Sequence, residues 1–211
     1  MNQAGCDDDV AQKVREGDPA ALAELFTRNR DRLRALVRLR MDRRLAVRVD
    51  PADIVQEAFL DASRRLDDYA ANPAMPPYLW VRFLTVQRLL MAHRQNIGAQ
   101  ARDAGREVAL NPGSAPEASS QSLAIELVGR LTSPTRAAVK TEIQKKIQEA
   151  LDALEPLDRE ILTLRHFEEL NNNEAAAVLG LQKSAASNRY VRALSRLKAV
   201  LAQCPELHDE K

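Results

Sequence analysis

The residues of this chain best suited to chemistry lie between Lys183 and Leu201. The stretch holds five cations, Lys183, Arg189, Arg192, Arg196 and Lys198, and no carboxylate. Among them stand Ser184, Ser187 and Asn188, short polar groups able to reach the edge of a base. Guanidinium and ammonium groups neutralise phosphates, whereas amides and hydroxyls hydrogen-bond to bases, asparagine best to adenine. The chemistry on offer is noncovalent reading of duplex DNA. It requires one helix to hold a second in the major groove.

The preceding residues can supply that support. Asn171 and Glu174 have capping-box spacing, which predicts a helix starting near Asn172. Ala175, Ala176, Val178 and Leu179 form its packed side, and the small Ala176 lets a second helix cross closely. Gly180 can take a positive φ and end the helix sharply. In the next helix Ala186, Tyr190, Leu194, Leu197 and Leu201 recur at helical spacing and face inward. Lys183, Ser184, Ser187, Asn188 and Val191 then point away, with Arg189, Arg192 and Arg196 flanking them within reach of phosphates. A further helix begins near Pro156, with Leu157, Ile161, Leu162 and Leu164 inward. An ordinary surface helix would share the basic face. It would not share the agreement of cap, small residue, glycine and apolar phase.

Composition favours an all-α protein: leucine, alanine, arginine and glutamate dominate, aromatic residues make up 4% and there are only seven glycines among 211 residues. The net charge of +1 is uninformative, but its distribution is not. From Arg28 to Asp50 nine arginines stand against three aspartates, and from Asp50 to Asp68 six carboxylates against two arginines. Such blocks predict several distinct charged surfaces. Cys6 and Cys204 lack metal-type spacing and fit a reducing cytoplasm, and no metal or cofactor is expected. His93, His166 and His208 are scattered, with no nucleophile elbow or phosphate loop, so the chain is not expected to be an enzyme. The acidic N-terminus is no signal peptide, and no apolar run approaches the roughly 20 residues of a membrane span.

Two helical domains are expected, at 10–97 and 135–205, joined by a flexible linker at 98–134. Asp18-Pro19 and Asp50-Pro51 are both N-cap and first-turn proline pairs. The helix after the first buries Leu22, Leu25, Phe26, Leu33, Leu36 and Val37. The helix after the second buries Ile54, Val55, Ala58, Phe59, Ala62 and Leu66, and presents Asp53, Gln56, Glu57, Leu60, Asp61 and Arg64 outward. Asp67 to Pro76 reads as a loop, and a third helix runs from about Pro77 to Asn96. Asn111 to Pro116 and Ser119 to Ser122 have linker composition, with a short amphipathic helix possible around Leu123, Leu127, Val128 and Leu131. Ser133-Pro134 starts another helix, with Ile143, Ile147, Leu151 and Leu154 on one face.

These residues resemble a known family. The run Asp50-Pro51-Ala52-Asp53-Ile54-Val55-Gln56-Glu57-Ala58-Phe59 closely resembles the polymerase-binding segment of bacterial sigma-70-type factors. Leu164 to Leu170 and the helix-turn-helix after it resemble their −35-reading domain. Two such domains without others look like an extracytoplasmic-function (group 4) sigma factor, cytoplasmic and without a membrane segment.

The resemblance implies a dissociable initiation subunit that binds core RNA polymerase, at a clamp helix of the largest subunit and at the flap, and directs promoter-specific initiation. Asp53, Gln56, Glu57, Leu60, Asp61 and Arg64 would make the clamp contact. An exposed leucine ringed by charges suits a protein partner. Bases flipped from the −10 element need aromatic or amide surroundings and basic flanks. Asn72, Tyr78, Trp80 and Gln87 are the candidates for the bases, and Arg82, Arg88 and Arg94 for the phosphates. Trp80, at helical spacing with Phe83, has a competing role in the core. Gln87 stands where the family often has asparagine, and Gln182 where it often has a serine-like cap. Ser184, Ser187 and Asn188 would read the −35 element, with Lys183, Arg189, Arg192 and Arg196 on phosphates. Promoter DNA and an anti-sigma factor complete the partners the resemblance implies. The alternative reading is a stand-alone helix-turn-helix regulator, which would bind a specific duplex alone and have no need of the acidic helix after Asp50.

Overall fold

The computed structural model describes residues 3–97, 115–131 and 137–202. Among these residues all regular structure is helical. The chain divides into two compact units, residues 1–116 and 117–211.

The first unit is built by α1 (Gln3–Arg15), α2 (Pro19–Arg40), α3 (Arg43–Ala46), α4 (Pro51–Arg64), α5 (Leu66–Ala71) and α6 (Pro77–Ile97). The two Asp-Pro starts form as the sequence predicts. Asp18 accepts from the Ala20 and Ala21 N–H groups, and Asp50 from that of Ala52 at 2.8 Å. These bonds satisfy first-turn donors that no carbonyl of the helix can reach. The predicted inner face of α2 is buried throughout, and Ile54, Val55, Ala58 and Ala62 of α4 meet it in one core with Val81, Leu84 and Leu89 of α6. Val10 and Val14 of α1, at the start of the expected domain, join that core.

The segment from Asp67 to Pro76 is not a loop throughout. Its first part is α5, and only residues 72–76 are irregular. The reason is packing. Tyr69 turns inward, stacks on Trp80 at a centroid distance of 4.2 Å, and donates its hydroxyl to the Met75 carbonyl at 2.6 Å.

The second unit holds α7 (Ser120–Leu131), α8 (Ala137–Asp152), α9 (Pro156–Leu162), a π turn (Thr163–Phe167), α10 (Asn172–Leu179) and α11 (Lys183–Leu201). The helix inside the expected linker is real, and Leu123, Ala124 and Val128 bury as α7 packs against α8. Arg159 of α9 reaches Glu117 at 3.3 Å, which ties the entry to α7 into this unit. Ile143, Ile147, Leu151 and Leu154 are buried as expected. The linker read at 98–114 and the helix start at Ser133-Pro134 lie outside the described residues.

After Leu162 the helix widens: the Glu168 N–H reaches back five residues to the Thr163 carbonyl at 3.0 Å. The wider turn seats both Leu164 and Phe167 in the core, and Glu169 then takes a φ of 56° where the chain reverses toward α10.

Candidate nucleic-acid interface

The pair α10–α11 is assembled by local chemistry that the sequence spells out. Asn171 Oδ1 accepts from the N–H groups of Asn173 and Glu174 at 2.9 and 3.0 Å, and Glu174 Oε2 accepts from the Asn171 N–H at 2.8 Å. The box is therefore reciprocal. Gly180 closes the helix at φ 63°, and its N–H returns to α10 carbonyls. Ala175 and Ala176 are buried where α11 crosses. Asn172 Nδ2 donates to the Lys183 carbonyl at 3.0 Å, a direct strap from α10 to the first residue of α11. Gln182 precedes α11 without any side-chain cap, as expected from its departure from a serine-like residue.

Along α11 the inward set is Ala186, Ala193 and Leu197, with Tyr190, Leu194 and Leu201 half-buried. Tyr190 is more than filler. Its hydroxyl is hydrogen-bonded to His166 Nε2 at 3.0 Å, and the Arg165 guanidinium lies 4.8 Å from its ring centroid. Lys183, Ser184, Ser187, Asn188 and Val191 are exposed, as the spacing predicts, and Val191 retains 57% of its surface. Arg196 is exposed as well.

Arg189 and Arg192, expected on phosphates, also make ion pairs within their own unit. Both turn to the buried carboxylate of Asp158: Arg189 Nη1 at 2.7 Å, Arg192 Nε and Nη2 at 3.0 and 3.1 Å. Burial would push the Asp158 carboxyl up, but the hydrogen bonds from Arg192 and Arg189, and their charges, hold it below the ordinary range. Sequence reasoning missed Asp158. In the sequence it is merely an acid in the first turn of a helix, and its partners lie 31 and 34 positions away.

The first unit presents a second candidate surface. On α4, Asp53, Gln56, Glu57, Leu60 and Arg64 are exposed, Leu60 by 46%. Asp61 departs from the outward set, for it is buried and ion-paired to Arg88 of α6. Arg88 also lies 3.6 Å from Glu57, and Arg64 lies 3.9 Å from Asp61. The hydrogen bond from Arg88 holds the Asp61 carboxyl below the ordinary range, against the opposing effect of burial. Helical phase alone placed Asp61 outward, and a long arginine on the neighbouring helix drew it in.

The aromatic and basic candidates of α6 divide sharply. Trp80 and Arg82 are buried, so neither stands open to a flipped base or a phosphate in this conformation. Trp80 is held by its Tyr69 stack, and Arg88 is engaged by Asp61 and Glu57. Tyr78 is half-buried, with the Arg32 guanidinium 4.1 Å over its ring, and Gln87 is half-buried. Asn72 and Arg94 are exposed.

A reciprocal cap, a left-handed glycine and a second helix with an exposed Ser-Ser-Asn face define a helix-turn-helix of the DNA-reading kind. The match to known proteins is narrower than that class. Residues 144–197 match the family model described as sigma-70, region 4. RNA polymerase sigma factor NccH of Alcaligenes xylosoxydans xylosoxydans is 29% identical over 202 residues, covering 95% of this chain and 97% of that protein. The ECF RNA polymerase sigma-E factor of Escherichia coli K12 is 23% identical over 194 residues, covering 92% and 93%. The structure of CnrH in complex with the cytosolic domain of CnrY shares the fold, with a TM-score of 0.51 at 21% identity over 93% of this chain and 97% of that one. Residues 144–197 thus match a sigma-70 region 4, and nearly the whole chain is similar to RNA polymerase sigma factors, among them one of the extracytoplasmic-function type. Among the described residues no group of three or more metal-ligating side chains occurs, and no helix is long and apolar enough to cross a membrane.

Proposed function

We propose that this chain is an RNA polymerase sigma factor of the extracytoplasmic-function type, which binds core RNA polymerase through the exposed face of α4 and reads promoter DNA through both units. The observation that carries the reading is the pairing of two different surfaces on one chain. One is the mixed acidic and apolar face of α4, and the other is the acid-free helix α11. Leu60 amid Asp53, Gln56, Glu57 and Arg64 has the make-up of a protein contact with an apolar centre and a polar rim. It would meet the clamp helix of the largest subunit, with the second unit near the flap.

Ser184, Ser187 and Asn188 are the base readers for the −35 element, with Lys183 and Arg196 on phosphates. In the first unit Asn72 and Arg94 are the exposed candidates for the −10 element, and Tyr78 and Gln87 are half-buried neighbours. Residues 10–97 carry the −10 contacts, and the second unit, which includes α7 as well as the expected domain at 135–205, carries the −35 contacts. The polymerase performs the chemistry. An anti-sigma factor is a further partner in this reading, and CnrH, which shares the fold, is in complex with the cytosolic domain of CnrY. The setting for all of these contacts is the cytoplasm.

Charge reversal tests the docking face. Asp53→Lys should reduce co-purification with core polymerase by about tenfold or more, since a like charge set against an interface is strongly unfavourable. Unchanged co-purification would remove α4 from the interface.

A further inference from the structure

Asp158 lies in the first turn of α9 and is fully buried. A buried carboxylate is costly unless charge and hydrogen bonds match it. Here both of its oxygens are matched, and the donors all come from Arg189 and Arg192 of α11. Arg189 Nη1 also reaches Glu155 at 3.2 Å. Two cations of α11 thus direct donors to carboxylates of their own unit, although Arg192 keeps 49% of its side chain exposed and Ser184, Ser187, Asn188 and Arg196 on the same helix are exposed too. Arg189 and Arg192 are three residues apart and so neighbours on the helix surface. Clasped to one point, they fix the rotation of α11 on α9.

A released guanidinium at either place would bind phosphate whatever the sequence, adding affinity for every duplex alike. We propose that Asp158 is a specificity-determining residue: it withholds Arg189 and Arg192 from phosphates and sets the rotation at which Ser184, Ser187 and Asn188 meet base edges. Asp158 touches no DNA; it acts through the two arginines. The inference rests on the assignment of α11 as the DNA-facing helix.

The test follows binding of the full chain to a duplex of unrelated sequence, by fluorescence anisotropy across a salt series. Asp158→Asn keeps the shape and removes the charge. It is expected to bind this duplex more tightly, with a plot of log K against log salt steeper by about 0.9 for each guanidinium released. Arg192→Gln leaves Asp158 paired with Arg189 and is expected to leave the slope unchanged, whereas Arg196→Gln flattens it by about 0.9. A clasp that serves stability alone would give Asp158→Asn an unchanged or flatter slope, which overturns the proposal. Where Asp158→Asn loses its helical circular dichroism, Arg192→Gln decides. A flattening equal to that of Arg196→Gln overturns the proposal, and an unchanged slope beside a flattened Arg196→Gln supports it. An unchanged slope in every variant would overturn it together with the DNA-facing assignment of α11, leaving the polymerase contact of α4 untouched.

Discussion

Asp61 and Arg88 join α4 to α6 across the first unit, and their chemistry sets what their loss would do. Removing the guanidinium leaves Asp61 buried without a close partner, with Arg64 at 3.9 Å and the charge of Arg65 beyond it. Arg88→Ala should therefore cost about 2–3 kcal/mol in urea unfolding, toward the lower end for a broken buried pair because Arg88 is partly solvated. An unpaired surface arginine would cost almost nothing, so the size of the loss checks the pairing. The same pair and the Asp158 clasp predict an acid transition. Both carboxyls are held below their ordinary value of 3.8 in the folded chain. The unfolded chain then takes up these protons first as the pH falls. The stabilisation is complete above that value and is lost as pH drops through it toward the depressed folded values. Urea midpoints should fall steeply below pH 4, and the steep part should shrink in Asp61→Asn. An acid limb as steep in that variant would show that Asp61 is not among the groups responsible.

The turn between α10 and α11 depends on one backbone conformation. Gly180 sits at φ 63°, and a Cβ added there would meet no atom within 4 Å. Gly180→Ala therefore carries backbone strain alone, about 1–2 kcal/mol, with no clash to add to it. Thermal unfolding of the variant should show a loss of that size, and a neutral result would mean that the turn relaxes without a left-handed residue. This element was legible in advance because each of its parts is local: the Asn171–Glu174 box, the glycine, and the apolar phase of α11 lie within one stretch of chain. The Asp-Pro starts of α2 and α4 were legible for the same reason. What escaped was set by partners distant in sequence. Asp61, Arg88, Asp158, Arg189 and Arg192 look like solvated charges to any periodicity, yet they pair across helices. Helix α5 was hidden by its aspartates and by the prolines that follow, and it exists because Tyr69 finds Trp80. The widened turn at Thr163–Phe167 has no marker in the residues that form it.

At the scale of the molecule, the proposed function divides the labour of a promoter-specific initiation factor between the two units. One exposes an acidic and apolar helix face, and the other an acid-free reading helix. Neither surface alone separates such a factor from a DNA-binding regulator. A regulator needs no α4 face, and a protein adaptor needs no α11. Loss of either surface should abolish function while leaving the other contact intact: Asp53→Lys should fail to load on polymerase, and Ser187→Ala with Asn188→Ala should load but lose promoter choice. Transcription by core polymerase from a library of promoter fragments, with and without the wild-type chain, tests the central claim most directly. The account predicts that adding the chain produces transcripts from a defined subset of fragments sharing sequence elements near −35 and −10. Transcripts no different from those of core polymerase alone would contradict it.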